Sequence, residues 1–290
     1  MQKESHPRAG DSGAGNGPPL RVVTYNVHRC RGMDGRTRPG RIVDVLREVE
    51  ADVIALQEVV SREDGGVEMN QARFIAESLG VHYQLGENRK LRGAAYGNVV
   101  LSRFPIRVVK NHDLSVEGYE RRGCLHIDVT VEEAVVHVFN VHLGTDFLER
   151  RHQGRRLADV EILRQAGLTG PRLLLGDFNE WTPGLTTRLL GSHLKSVDIA
   201  KHLQRRRTYP GVLPFMHLDH IYHDDTLDLQ GLKLHRTRKA LMASDHLPLI
   251  ADFRLVRAHI PEAHPLAPEP KQAEPERRRT DAAGDKPATS

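Results

Sequence analysis

Side chains that can bind metals or transfer protons recur in this sequence at one kind of position, the boundary of a short apolar run. The residues at these boundaries are Asn26, Glu58, His142, Asp177, Asn179, the pair Asp219-His220 and the pair Asp245-His246. Apolar runs of this length are typical of buried strands, and strand ends hold loop residues in fixed mutual positions. The repeated placement therefore predicts that these side chains share one cleft.

The residue types fit the hydrolysis of phosphate esters. A hard divalent cation such as Mg²⁺ prefers carboxylate and amide oxygens, and Asn26, Glu58 and Asp245 supply such oxygens. Hydrolysis also requires charge neutralisation on the phosphate and a positioned water, which a carboxylate beside a histidine can activate. The histidines lie far apart, and no Cys/His spacing typical of zinc sites is present. The sequence therefore predicts a hydrolase that depends on Mg²⁺ or Mn²⁺.

Each of these residues, taken alone, also has a structural explanation. An isolated Asp-His pair such as Asp245-His246 is usually solvated or caps a helix, and a glutamate after a strand is usually an exposed charge. A buried histidine at a strand end is usually a satisfied core residue. Short motifs of this kind give many false positives, so the prediction depends on their joint occurrence in one chain.

The elements that must position these residues alternate between strands and helices. Apolar periodicity predicts helices near 40–50, at 70–79, at about 146–166 and after Pro183. It predicts strands at 21–27, 53–56, 97–102, 105–112, 123–131, 134–141, 172–176, 218–223 and 247–254. Many strands interleaved with a few helices indicate an α/β domain in which some strand pairs are antiparallel.

Composition indicates a globular protein with one folded domain. Of 290 residues, 39% are hydrophobic and 28% are charged, and no apolar run reaches the about 18 residues that span a bilayer. The first 19 residues and residues 257–290 are rich in Gly, Pro and charge, so we expect two disordered ends around a domain at 20–256. Two cysteines and the lack of an apolar leader fit a cytoplasmic protein, and we expect a monomer.

The charge of the chain leaves the partner open. The net charge is +4, a weak basic footprint, and aromatic residues make up 5% of the chain, which offers little stacking for single strands. Basic residues concentrate at 150–156 and 205–207, where they fit a nucleic-acid backbone, an anionic membrane surface or a solvated face equally well. Arg121 and Arg122 precede a predicted strand, and Arg122 is a weaker candidate for contacting the phosphate.

Seven segments together resemble the endonuclease/exonuclease/phosphatase superfamily, in the order in which that superfamily carries them. They are VVTYNVHR, DVIALQEV, YGNVVLSRFPI, FNVHLGT, LLLGDFNEW, RRRTYPGVLPFMHLDHIYH and SDHLPLIADF. The resemblance covers essentially all of 20–256. It implies a four-layered α/β sandwich, in which two packed mixed β-sheets are flanked by helices and the site lies at one end.

The resemblance also implies roles for the metal-binding and water-activating residues. Glu58 is similar to the principal metal ligand of the superfamily, with Asn26 beside it and Asp245 contributing directly or through water. Asp177 would orient or deprotonate the attacking water. Asn179 would help to hold the phosphate.

A second group of roles concerns the phosphate and the leaving group. By resemblance, His246 contacts a phosphate oxygen and is oriented by Asp219, and His142 is a second acid–base residue. Asn98 in YGNVVLSR is a weaker candidate for contact with the phosphate or with a residue that binds it. His220 follows Asp219 at a position that varies among members, so its role stays open.

The resemblance narrows the activity without fixing the substrate. A histidine at position 142 is similar to the deoxyribonuclease, sphingomyelinase, inositol-phosphatase and tyrosyl-DNA phosphodiesterase branches, whereas abasic-site endonucleases usually carry a tyrosine-containing strand end there. We expect a phosphodiesterase that acts through metal-activated water on a phospholipid or a nucleic acid, with peripheral contact to an anionic membrane in the lipid case. The alternatives are a DNA or RNA nuclease and a non-catalytic scaffold that binds phosphate or lipid.

Overall fold

Two six-stranded sheets lie face to face at the centre of the protein. The computed structural model describes residues 16–63, 66–159, 161–180, 184–197 and 217–256. In chain order the strands are β1 (Asn16–Asn26), β2 (Val53–Ser61), β3 (His82–Leu91), β4 (Ala94–Ser102), β5 (Ile106–Asp113), β6 (Gly123–Val131), β7 (Ala134–His142), β8 (Arg172–Asp177), β9 (Lys195–Ser196), β10 (Asp219–His223), β11 (Leu227–Leu234) and β12 (Leu249–Val256). The α-helices are α1 (Pro39–Val49), α2 (Gln71–Leu79), α3 (Phe147–Leu157), α4 (Leu185–Gly191) and α5 (Arg238–Ala243).

Each sheet has a parallel pair of strands at its centre. The first sheet has the order β11-β12-β1-β2-β4-β3 and the second β5-β6-β7-β8-β10-β9. The parallel pairs are β1 with β2 and β7 with β8, and the other described pairings in both sheets are antiparallel. The central strands of the two sheets contact one another. The carboxyl ends of β1, β7 and β8 consequently meet at one end of the sandwich.

Alternation along the strands produces four layers. In β7, Val136 and Val138 belong to the core between the two sheets, whereas Phe139 and Val141 belong to a second core on the outer face. Residues of α1 and α2 complete the first core, and Leu157 of α3 and Leu190 of α4 complete the second. Successive strand residues point to opposite faces, so β7 and β8 each contribute to both cores. The predicted four-layered α/β sandwich is confirmed.

Two predicted helices form as the sequence indicates. α1 begins at Pro39, a residue suited to the first helical turn, and buries its apolar stripe, including Ile42 and Leu46. In α2 the Asn70 side chain caps the helix by accepting a hydrogen bond from the Arg73 backbone N–H. Gly80 then ends α2 in the left-handed conformation.

The long helix predicted at about 146–166 is wrong in its length. α3 begins after the N-cap Asp146 and ends at Leu157. The chain then turns, and the backbone N–H of Leu163 donates to the carbonyl of Leu157 at 3.3 Å. This turn packs Ile162 and Leu163 into the outer core, a burial that outweighs the helical propensity of the segment.

The structure also changes the predicted domain boundary and adds elements. Residues 16–19, expected in the disordered end, lie in β1, where Asn16 pairs with Val256. β3 was not predicted because it is largely polar, and β9 and α5 were not predicted because they are short. β11 was also not predicted, although its leucines alternate with other residues on both sides of a register shift between Leu229 and Gly231. Residues 1–15, the tail at 257–290 and the basic run at 205–207 lie outside the described residues. No described helix combines the length and apolarity needed to cross a bilayer.

Candidate active site

The carboxyl ends of the central strands bring four polar side chains together. Asn26 ends β1, His142 ends β7 and Asp177 ends β8, and the parallel register places His142 beside Asp177. Asp219 begins the antiparallel strand β10 directly opposite Asp177. All four side chains are buried. The predicted convergence at strand ends is therefore what the sheet pairing produces.

A cavity of about 450 Å³ opens at this end of the sandwich. It is lined by Asn26, Arg29, Glu58, Arg89, Tyr96, Glu120, Arg122, His142, Thr145, Asp177, Asn179, Leu218, Asp245 and His246. Of the ten residues assigned to the site from sequence, eight line this cavity. Asp219 lies behind it and contacts the lining through His246, and Asn98 does not line it.

A β-bulge aims Glu58 into the cavity. In the pairing of β2 with β4 the register shifts between Leu56 and Val59, so two residues of β2 oppose the single residue Asn98. Glu58 adopts a φ of 59°, a left-handed conformation that non-glycine residues rarely take. Bulges commonly redirect a side chain next to a functional site, and non-glycine positive φ values concentrate at such sites.

Asn26 holds two carboxylates together. Its Nδ2 donates to Glu58 Oε1 at 3.2 Å and to Asp177 Oδ2 at 3.0 Å, while its Oδ1 accepts from the His28 backbone N–H at 3.0 Å. The sequence predicts that Asn26 binds the metal, which requires its side-chain oxygen to face the cavity. In the structure the side-chain nitrogen faces the carboxylates, and the oxygen is engaged by the His28 backbone N–H. Asn26 instead fixes the relative positions of Glu58 and Asp177.

Asp177 lies at the centre of the constellation. Its Oδ2 is 3.6 Å from Nε2 of both His142 and His246, and its Oδ1 accepts from the Asn179 backbone N–H at 2.9 Å. Burial raises the pKa of Asp177 to about 6; His246 opposes this rise, whereas the charge of Asp219 adds to it. A carboxylate with a pKa near neutrality exchanges a proton readily at physiological pH.

His246 forms a carboxylate–histidine pair with Asp219. The distance from His246 Nδ1 to Asp219 Oδ2 is 3.0 Å, which leaves Nε2 facing Asp177 and the cavity. Burial lowers the pKa of His246, but the charges of Asp219 and Asp177 outweigh burial and raise that pKa to about 10. His246 is therefore an imidazolium at neutral pH.

His142 is neutral, in contrast to the charged ring of His246. Arg122 Nη1 lies 3.1 Å from His142 Nδ1, and because a guanidinium can only donate, Nδ1 is the acceptor. Burial lowers the pKa of His142 well below its usual value, and the charges of Arg122 and His246 lower it further. His142 is thus neutral with its proton on Nε2, 3.6 Å from Asp177. Arg122, a predicted phosphate contact, lines the cavity and also fixes this tautomer.

Two predicted residues have different surroundings from those expected. The Asn98 side-chain amide donates to the carbonyls of Gly123 and Asn140 at 3.0 and 3.2 Å, so it joins the two sheets instead of facing the cavity. The ring of His220 packs edge-on against Phe178, and its Nε2 lies 3.2 Å from the Glu180 carbonyl. His220 is therefore oriented away from the cavity, on the outer face of the second sheet.

A buried polar layer beneath the site was not predicted from the sequence. Gln57 Nε2 donates to Asn140 Oδ1 at 2.8 Å, and Asn140 Nδ2 donates to the carbonyls of Leu56 and Val99 at 2.9 Å. These bonds join the sheets next to the bulge that carries Glu58. Gln57 and Asn140 are adjacent to quoted motif residues, so their position in LQE and FNVH was the available signal.

Five further residues of the cavity wall were not assigned to the site from the sequence. Arg29, Tyr96 and Thr145 belong to the quoted segments VVTYNVHR, YGNVVLSRFPI and FNVHLGT, so that membership was the available signal. Arg89 and Glu120 lie outside the seven segments, and only the tertiary fold brings them to the cavity. Arg89 stacks on the Tyr96 ring at 4.5 Å, and Arg29 Nε lies 3.9 Å from Glu58 Oε2. The cavity therefore has guanidinium groups opposite its carboxylates, an arrangement suited to an anionic substrate.

The donor set for a hard cation is present in the cavity. Glu58 and Asp245 both line it, and Asp245 is held by Ser244 Oγ at 3.3 Å and lies 3.4 Å from His28 Nδ1. Ligand atoms of Asp177, Asp219 and His246 also lie within 4.8 Å of one another, although Asp219 is engaged with His246. Clustered carboxylates repel one another, and a divalent cation relieves that repulsion.

Comparison with known proteins defines the family. The profile described as "Endonuclease/Exonuclease/phosphatase family" matches residues 23–246, which include every residue of the constellation above. The chain belongs to the endonuclease/exonuclease/phosphatase family. Members of this family are hydrolases that act on phosphate esters. A relative from Escherichia coli K12, described as "Uncharacterized protein YbhP", is 30% identical over 248 residues, which cover 81% of this chain and 96% of the relative.

Solved structures agree with this assignment. An endonuclease/exonuclease/phosphatase from Beutenbergia cavernae superposes with a TM-score of 0.65 at 25% identity, covering 82% of this chain and 72% of that one. A mannosyl-6-phosphatase from Bacteroides thetaiotaomicron superposes with a TM-score of 0.67 at 17% identity, covering 81% of this chain and 99% of that one. At 17% identity the second likeness establishes a common fold and no common substrate.

Proposed function

We propose that this protein is a divalent-metal-dependent phosphodiesterase that hydrolyses its substrate by attack of water. The observation that carries the proposal is the buried Asp177 between two histidines of different charge, with a pKa raised to about 6. A base poised near the working pH, a neutral imidazole N–H donor and an imidazolium meet at one cavity. These are the groups that hydrolysis of a phosphate ester requires.

Each residue of the constellation has a definite task in this proposal. Asp177 orients the attacking water and accepts its proton. His246, held by Asp219, donates to a non-bridging oxygen from its charged ring. The Nε2–H of His142 donates to the phosphate or the leaving oxygen, and Arg122 keeps that proton on Nε2.

The donor set supports metal dependence. Glu58 and Asp245 would hold Mg²⁺ or Mn²⁺, because both offer carboxylate oxygens to the same cavity and hard cations prefer such ligands. When bound there, the cation would neutralise charge on the phosphate oxygens. Asn26 would keep Glu58 in place through its amide bond to Oε1.

An apolar rim favours a phospholipid as the substrate. Phe147 and Leu148 are 56% and 57% exposed, and they follow the cavity residue Thr145. Tyr119, 41% exposed, donates from Oη to Asp146 in the same rim. Arg151, on the exposed side of α3, adds positive charge beside this rim. Exposed apolar groups next to basic ones suit insertion into an anionic membrane surface.

A nuclease is the second candidate, supported by guanidinium groups in the cavity wall. Arg29 and Arg89 could neutralise neighbouring phosphates of a nucleic-acid strand, since Arg–phosphate pairs are strong and directional. The two candidates differ in what the rim contacts. A lipid headgroup enters the cavity while the rim inserts into the bilayer, whereas a nucleic acid leaves Phe147 and Leu148 in water.

A substrate panel tests the proposal. Vesicles of sphingomyelin and of glycerophospholipids, plasmid and single-stranded DNA, RNA and inositol phosphates are each incubated with Mg²⁺, with Mn²⁺ and with chelator. We expect metal-dependent cleavage of one phosphodiester class by the wild-type chain and its loss in Asp177→Ala. If the protein releases inorganic phosphate from monoesters alone, its activity is that of a phosphatase and not of a phosphodiesterase.

The non-catalytic alternative makes a different prediction for the same panel. A scaffold binds a phosphate ester without turning it over, so binding would survive in Asp177→Ala and no product would appear with either variant. Measured lipid or nucleic-acid binding without turnover, under conditions in which metal binding is confirmed, would establish that reading.

The rim separates the lipid and nucleic-acid candidates directly. The double variant Phe147→Ser with Leu148→Ser removes two exposed apolar side chains and changes no residue of the cavity. For a lipid substrate, turnover on vesicles falls at least about tenfold, because each side chain contributes roughly 1.5–3 kcal/mol when buried in the interface. Turnover of a short-chain soluble ester stays the same. An equal loss on both substrates contradicts the membrane role.

A further inference from the structure

A second group of histidines and a carboxylate lies on the outer face of the second sheet. Asp128 of β6 pairs directly with His137 of β7, and His126 stands two residues before Asp128 on the same face. The three residues are 3–8% exposed. Their ligand atoms all lie within 4.8 Å of one another. Neighbouring strands of one sheet therefore hold the three side chains rigidly and away from solvent.

The group is separate from the active site. His137 precedes the active-site residue His142 by five positions on β7, which corresponds to about 17 Å along the strand. An odd separation also places the two side chains on opposite faces of the sheet. None of the residues that line the active-site cavity belongs to the group.

The tautomer of His137 decides what lies between these side chains. With its proton on Nδ1, the ring donates to Asp128 Oδ1 at 2.6 Å. With its proton on Nε2, the ring donates to the Thr169 carbonyl at 3.3 Å, and the Nδ1 lone pair then faces Asp128 Oδ1. The position between Nδ1 and Oδ1 therefore accepts either a proton or a metal cation.

A second imidazole faces the same oxygen. His126 Nε2 is 2.9 Å from Asp128 Oδ1, so two ring nitrogens and one carboxylate oxygen converge on one point. The hydrogen bond from His137 Nε2 to a backbone carbonyl is the usual way in which proteins orient a histidine ligand towards a metal. Such contacts fix the tautomer whose free nitrogen points into the site.

A fourth buried histidine lies beside this group. The His112 ring of β5 stacks beside His126 with ring centroids 6.1 Å apart, and His112 is 8% exposed. Its Nε2 is buried and has no hydrogen-bond partner among the residues that the structure describes. A buried imidazole nitrogen without a partner costs free energy unless a bound species satisfies it.

We propose that His126, Asp128 and His137 form a second metal site, which binds a divalent transition-metal cation such as Zn²⁺. Two imidazoles and a carboxylate suit cations of this class, whereas Mg²⁺ prefers oxygen ligands alone. The bound ion joins β6 to β7 and, through Thr169, to the turn before β8. The site is independent of the proposed phosphodiesterase function and stabilises the sheet.

Zn²⁺ and Co²⁺ binding to the full-length chain tests this site. Metal-free protein carrying Glu58→Gln, which weakens the active-site donor set, is titrated with each ion. We expect one high-affinity site per chain, and we expect the visible absorption bands of bound Co²⁺ to indicate nitrogen and oxygen ligands. At a Zn²⁺ concentration about 100-fold above Kd, Tm rises by about 5–10 °C.

Variants of the group locate the bound ion. Adding Asp128→Asn or His126→Gln to the Glu58→Gln background weakens Zn²⁺ binding more than about tenfold and removes the Co²⁺ bands. Glu161 is an exposed acidic residue in the turn after α3. The substitution Glu161→Gln is the matched control and leaves Zn²⁺ binding unchanged. Phosphoesterase activity of the Asp128→Asn single variant in Mg²⁺ also stays the same.

A measurement that needs no destabilised variant completes the test. Crystals of Glu58→Gln grown with Zn²⁺ should show an anomalous-scattering peak between His126, Asp128 and His137. Absence of that peak and of high-affinity binding would overturn the proposal, and a hydrogen bond from His137 Nδ1 to Asp128 would then account for the 2.6 Å contact. Zn²⁺ affinity unchanged by Asp128→Asn and His126→Gln would overturn it equally.

Discussion

Two buried aspartates of the second sheet, Asp177 and Asp128, have similar partners and opposite electrostatics. Each lies near two histidines, and each is almost completely buried. Burial raises the pKa of Asp177 to about 6. Burial also acts to raise the pKa of Asp128, but hydrogen bonds from His126 and His137 lower it to about 2. One carboxyl group resists ionisation while the other is held ionised.

The difference follows from what each pair of histidines can donate. Both rings beside Asp128 lie within hydrogen-bond distance of the carboxylate, at 2.9 and 2.6 Å. The rings beside Asp177 lie at 3.6 Å, and His246 is shared with Asp219. The negative charge of an ionised Asp177, at the wall of the cavity, is therefore only partly compensated. A carboxylate in that condition is suited to proton transfer, whereas a fully ionised one is suited to binding a cation.

The largest expected difference between the two aspartates is in turnover. Asp177→Asn removes the proposed base and should lower kcat about 10²- to 10⁴-fold with the metal and substrate found in the panel. Asp128→Asn, the matched change at the distant carboxylate, should leave kcat within about twofold. Steady-state kinetics on both variants, with circular dichroism to verify folding, gives the comparison. Equal losses would mean that the outer group serves catalysis or the fold as a whole.

The pH dependence of stability should next distinguish Asp177. Its pKa is about 6 in the folded chain and near 3.8 when unfolded, so its contribution to stability is present below pH 3.8 and lost as pH rises through 6. The loss amounts to about 3 kcal/mol. In urea unfolding with chelator, the unfolding free energy of Asp177→Asn should therefore rise relative to that of the wild type between pH 4 and pH 7. A constant gap between the two proteins would contradict the raised pKa.

Magnesium should act on the cavity and not on the outer group. At a concentration about 100-fold above Kd, Mg²⁺ should raise Tm of the wild type by about 5–10 °C, since binding to the folded state stabilises it by about 2.7 kcal/mol. Thermal unfolding should show the increase preserved in Asp128→Asn and absent in Glu58→Gln. If Glu58→Gln keeps the full increase, the ion binds elsewhere.

The smallest expected effect concerns Asp128 in acid. Its folded pKa of about 2 lies below the usual 3.8, so its contribution is present above pH 3.8 and lost as pH falls through 2. Asp128→Asn in chelator should cost about 2 kcal/mol of unfolding free energy at pH 6, and that cost should shrink towards pH 2. Urea titrations at both pH values measure it. A cost that does not change with pH would point to lost packing instead of lost charge.

The sequence predicted much of the site because strand ends are recognisable locally. Asn26, His142 and Asp177 follow apolar runs, and parallel pairing brings the ends of such runs together. The roles that depend on orientation could not be predicted. Asn26 presents its nitrogen to Glu58, and Asn98 binds two backbone carbonyls, because a β-bulge and the approach of the second sheet decide where those amides point.

The outer group illustrates a signal that was present and unused. The predicted strands at 123–131 and 134–141 leave a two-residue turn, and such a turn fixes the register that pairs Asp128 with His137. Alternation then places His126 on the same face as Asp128. The sequence could therefore have predicted the three neighbours, although not their burial beneath the turn that carries Thr169.

The sequence by itself determined the fold class, the family resemblance and the identity of the residues that meet at the strand ends. These depend on local apolar period and on motif order, which are properties of the linear chain. Only the tertiary structure decided which aspartate resists ionisation and which is held ionised. That distinction depends on burial and on the histidine–carboxylate distances, which are 3.6 Å at Asp177 and 2.6 to 2.9 Å at Asp128. Electrostatic energies in a buried site change steeply with such differences in distance.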